Sequence, residues 1–211
     1  MKEQNETLNC LKALCSFMAN APYVEVFPQH IRQSALPDDF YQFYRHADGG
    51  IGYIPPYRGH SLAGVPERQI LLYTISRMAE KNREMRNLAK EIYLDCDPLR
   101  EQEKLNKEET LRLNQFFDNC VIWGEVFDDP YDPDYLVYYQ GYFFTMYRYS
   151  CDACIDKWFW EDRFAREFED AVQCTFNDFL NDLIPGFAQA RLTLETEDKD
   201  QQDGGYADAG Y

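Results

Sequence analysis

Residues 119 to 150 hold three β-prone runs in close succession: NCVIWGEVF at 119–127, YLVYYQ at 135–140 and YFFTMYRYS at 142–150. Parallel neighbours would need a crossover of about a dozen residues or more between each pair. Neither connection has room for one. DDPYDPD, 128–134, is a turn by composition, and only Gly141 separates the second run from the third. The centre of the chain therefore has to fold as hairpins, which makes its sheet antiparallel.

Helices are expected on both sides of this sheet. Residues 5 to 20 carry Leu8, Leu11, Leu14, Cys15 and Met18 on one helical stripe. PYVEVFPQ is an extended piece. LPDDFYQFYRHADGG, 36–50, is a short helix: Pro37 suits its first position, and Asp38 and Asp39 meet the positive end of its dipole. Phe40, Phe43, Tyr44 and Ala47 form its buried face, and Gly49 or Gly50 ends it. IGYIPPYRG is a strand or loop that Pro55 and Pro56 limit to an edge or an irregular segment. QILLYT, 69–74, is a further strand. SRMAEKNREMRNLAKEIYL is a helix capped by Ser76. Residues 95–118 read as a polar insertion. A long last helix spans 162–183, with Phe164, Phe168, Val172, Thr175, Phe176, Phe179 and Leu183 on its apolar face, and Pro185 and Gly186 close it. The pattern predicts one α+β domain over 1–190, an antiparallel sheet flanked by helices from both chain ends. An acidic tail over 191–211, most polar from Glu195, is expected to be disordered.

The net charge is −16. Residues 77 to 112 balance nine basic against nine acidic residues, so the excess lies elsewhere in the chain. Such a field repels nucleic acid and anionic lipid and attracts basic partners, although solubility alone also accounts for it. No run of apolar residues is long enough to span a membrane, and MKEQNETLNC lacks the form of a secretory signal. The seven scattered cysteines suit free thiols in a reducing cytoplasm.

Chemical motifs are sparse. CDAC, 151–154, offers half of a zinc site or two ordinary thiols, and no second pair completes it. His30 and His60 fall in loop-like stretches. His46 sits near the end of a short helix, where its charge suits the dipole. No nucleophile elbow, catalytic triad or phosphate-cradling loop is present. Glu125, Asp128, Asp129, Asp132 and Asp134 crowd ten residues, but two prolines interrupt the run and it fits no EF-hand. A solvated turn, a docking surface for a basic partner and an incidental calcium site all remain open for it. The composition points to no catalytic residue, metal or cofactor.

Four stretches taken in order resemble the SUKH superfamily, the SMI–KNR type of domain. LPDDFYQFYRHADGG resembles its helix with aromatic anchors before aspartate and glycine. QILLYTISRMAEKNREM resembles the strand and helix that close near an asparagine, here Asn82. CVIWGEVFDDPYDPDYLVYY resembles the central hairpin, and FEDAVQCTFNDFLNDLI the terminal helix. The resemblance covers roughly residues 5 to 185. It implies a cytoplasmic binding protein without enzymatic activity: an immunity protein that neutralises a cognate toxin, in many members a nuclease. The alternative is a regulatory or scaffold adaptor of the same superfamily. A basic toxin would meet an acidic, tyrosine-rich surface. Candidate partner contacts are Asp128, Asp129, Tyr131, Asp132, Asp134 and Tyr135, with Asp38, Asp39 and Tyr57 as a second region. A metal or redox protein using CDAC is a third reading.

Overall fold

The computed structural model describes residues 5–22, 27–54, 68–92, 107–129, 132–147 and 174–194. Within them a six-stranded, wholly antiparallel sheet runs in chain order: β1 (Met18–Ala19), β2 (Gly50–Ile54), β3 (Arg68–Leu72), β4 (Val121–Asp129), β5 (Asp132–Tyr139) and β6 (Tyr142–Tyr147). The described helices are α1 (Glu6–Cys15), α2 (Gln29–Gln33), α3 (Asp38–His46), α4 (Ile75–Ile92), α5 (Lys107–Asn119) and α6 (Phe176–Leu183), followed by α7 over 187–194. The chain is an α+β fold, with helices from both chain ends on the sheet.

The two faces of the sheet differ. On the inner face α1, α3 and α6 cover a core of aromatic rings. Trp123 meets Phe40, Phe176, Phe179 and Phe143 edge to face, at centroid distances of 6.0, 5.3, 5.7 and 5.8 Å. Its indole N–H has no hydrogen-bond acceptor among the described residues. An unpaired buried donor costs roughly 1–3 kcal/mol. Ring pairs contribute about 0.5–1.5 kcal/mol each beyond burial, so four of them offset that loss. On the outer face α4 and α5 cover only part of the sheet. Phe116 of α5 packs on Tyr139 at 4.9 Å. Asn82 of α4 is buried and donates to Ile122 O at 2.9 Å while accepting from Ile122 N at 2.9 Å. That pairing seats α4 on β4 where the β4–β5 register shifts, between Ile122 and Gly124.

LPDDFYQFYRHADGG works as a corner. Phe40, Phe43, Tyr44 and Ala47 are buried as their spacing predicts. Tyr44 O–H donates to Tyr73 O at 2.9 Å, and Asp48 accepts from Ile75 N at 2.8 Å, which caps α4. Gly49 has φ 69°, and a Cβ there would lie 2.3 Å from Leu72 O. The corner therefore fastens α3 to the end of β3 and the start of α4. The α3 helix itself starts at Asp38 with Pro37 as its cap, and it ends at an extended Ala47 rather than on the glycines. Gln140 and Gly141, with φ 48° and 95°, form the tight turn that joins β5 to β6.

Several expectations are corrected. The first helix stops at Cys15, because Ser16 takes the left-handed conformation, and Met18 pairs with Ile51 in β1. His30 lies in α2, not in a loop. Thr74, not Ser76, caps α4, its Oγ1 accepting from Arg77 N at 3.1 Å. Part of the presumed insertion is α5, anchored by buried Phe116 and Phe117. The last helix does not run unbroken to Leu183: Thr175 is extended and caps α6 through a capping box with Asp178. Asp39 reaches the same helix end, accepting from Asn177 N at 2.9 Å and from Phe176 N at 3.3 Å. Helix α7 continues past residue 191, where the tail was expected to begin. Phe164, Phe168 and Val172 lie outside the described residues, as do CDAC and His60.

Cys10, Cys15, Cys120 and Cys174 are in no disulfide, and the first three are buried. Burial pushes the Cys15 thiol from an ordinary 9.0 up to about 11. It pushes the Tyr44 and Tyr73 phenols up as well. A raised pKa in the folded chain means that unfolding releases a proton once the pH passes the unfolded value. The Cys15 contribution to stability should thus be constant below pH 9.0 and be lost as the pH rises towards 11. Urea midpoints measured across that range check the sign: a midpoint that rises with pH would contradict it.

Candidate functional site

The β4–β5 hairpin carries the acidic run. Its ladder continues to Asp129, which stands directly opposite Asp132, with a register shift between Phe127 and Asp129. The turn is thus shorter than DDPYDPD: both strands run into that stretch, and Pro130 and Tyr131 lie outside the described residues. Described pairing of β4 with β3 ends at Phe127, and of β5 with β6 at Asp134. Asp128, Asp129 and Asp132 therefore sit at the hairpin end, beyond the pairs of the neighbouring strands.

The other candidate contacts are dispersed. Asp134 is half-buried and pairs with Val126 on one side and Tyr147 on the other. Tyr135 is only 2% exposed, which removes it as a partner contact. Its ring lies under Lys81 of α4, with Nζ 4.6 Å from the centroid, a contact of about 1 kcal/mol. Asp38 is exposed in the first turn of α3. Asp39 beside it is half-buried and occupied in holding the start of α6, so it serves the fold. Tyr57 lies outside the described residues.

Directly opposed residues of an antiparallel ladder share a face, which defines an outer surface that the sequence reading missed. One row across the sheet runs Met18, Ile51, Leu71, Glu125, Tyr135. The next runs Tyr53, Gln69, Phe127, Pro133. The α4 helix closes the Tyr135 end. There Tyr73 O–H donates to Glu125 Oε1, Arg77 lies 5.8 Å from the Tyr73 ring, and Lys81 covers Tyr135. Met18 is 63% exposed, Tyr53 is 43% exposed, and Ile51, Leu71, Glu125 and Phe127 are half-buried. Gln69 Nε2 donates to Tyr53 O–H at 3.5 Å. Among the described residues no ring packs on Tyr53 or Phe127, whereas the inner-face aromatics pack on one another throughout.

No family model, curated protein or solved structure matches this chain.

Among the described residues no three histidine, cysteine, aspartate or glutamate side chains gather as a metal site, and no helix is long and apolar enough to cross a membrane. His46 Nδ1 lies 3.0 Å from Gln42 O, within its own helix. What remains distinctive among the described residues is a ladder that brings Asp129 opposite Asp132 at the hairpin end, and a part-exposed half-face of apolar side chains around Glu125. The signal for that half-face was in the sequence as alternation: Ile51 and Tyr53, Gln69 and Leu71, Glu125 and Phe127 lie two apart. Only the register could place them side by side.

Proposed function

We propose that this chain is a non-enzymatic binding protein of the cytoplasm, an immunity protein of the SUKH type that holds and neutralises one basic toxin. One observation carries the reading: Asp129 and Asp132 oppose each other at the hairpin end, with Asp128 adjacent in the chain. Like charges directly opposite destabilise a hairpin by up to about 1 kcal/mol. A cationic partner would be attracted to a hairpin end that carries Asp128, Asp129 and Asp132 in sequence. The net charge of −16 extends the same field outward and would speed encounter with a basic surface.

The resemblance in sequence gains support from what its motif positions do. Asp48 and Gly49 hold the corner, Asn82 fastens α4 to β4, and Phe176 and Phe179 bring α6 onto Trp123. The test is co-purification of this chain with the C-terminal domain of the product of the adjacent reading frame, followed by rescue of cells that express that domain. Rescue by this chain with a stable one-to-one complex is the expected result. If no adjacent product binds, and none is toxic, the adaptor reading replaces this one.

A further inference from the structure

We draw no further inference here: the strongest candidate, the part-exposed half-face of the outer sheet surface formed by Met18, Ile51, Tyr53, Leu71 and Phe127, is an apolar patch for which nothing among the described residues shows what covers it.

Discussion

Gly49→Ala should be the most damaging small substitution in the corner, lowering stability by about 3 kcal/mol or more. Two effects add. A left-handed conformation costs an L-residue roughly 1–2 kcal/mol. The added Cβ would also lie 2.3 Å from Leu72 O and 2.5 Å from Tyr73 O, both backbone atoms of the strand end to which the corner is fastened. Neither can yield without disturbing the Tyr44 and Asp48 hydrogen bonds to Tyr73 O and Ile75 N. Gly186→Ala is the internal control. Its φ of 81° is equally left-handed, but nothing lies within 4 Å of its Cβ position. It should lose only the conformational share, about 1 kcal/mol. At a urea slope of about 2 kcal/mol per M, the two midpoints should differ by about 1 M. Equal midpoints would show that the close approach at Gly49 contributes nothing.

Asn82→Ala should cost about 2–4 kcal/mol. Asn82 is 2% exposed and pairs with both the N–H and the C=O of Ile122, in addition to Met78 O at 2.7 Å. Truncation leaves a buried strand donor and acceptor without their partner at the register shift of β4, and unpaired buried groups carry the full desolvation penalty. Arg83→Ala, exposed on the same helix, should stay within about 0.5 kcal/mol. Denaturant unfolding of the two variants side by side is the check, and an Asn82→Ala loss below about 1 kcal/mol would mean that α4 is held by its apolar contacts alone.

What was legible in the sequence followed physical periodicity. Phe40, Phe43, Tyr44 and Ala47 recur at helical spacing and are all buried. The hairpin run could only be antiparallel, and it is. The misses have causes of the same kind. Thr74 and Ser76 are equally good caps by chemistry, and the end of β3 at Leu72 decides between them. The α5 helix is hidden in the sequence by its many charges, and among its described side chains Phe116 and Phe117 are the buried anchors. A two-residue strand such as β1 has no signature at all, and in the sequence Met18 falls on the helical stripe of Leu8, Leu11, Leu14 and Cys15. The candidate site was legible as a cluster of acids, but which neighbours point outward depends on register. Tyr135, next to Asp134 in the chain, faces α4 and is covered by Lys81. Tyr53 and Phe127, far apart in sequence, lie in one row.

We propose above that this molecule binds a cationic protein through the acidic end of the β4–β5 hairpin. The most direct measurement is the dissociation constant for the adjacent-gene toxin domain as a function of salt, for the natural chain and for the quadruple variant with Asp128, Asp129, Asp132 and Asp134 changed to lysine. The account predicts binding that weakens steeply with added salt, and a variant at least about a hundredfold weaker with that salt dependence lost or reversed. Equal affinity and equal salt dependence in the two proteins would contradict it.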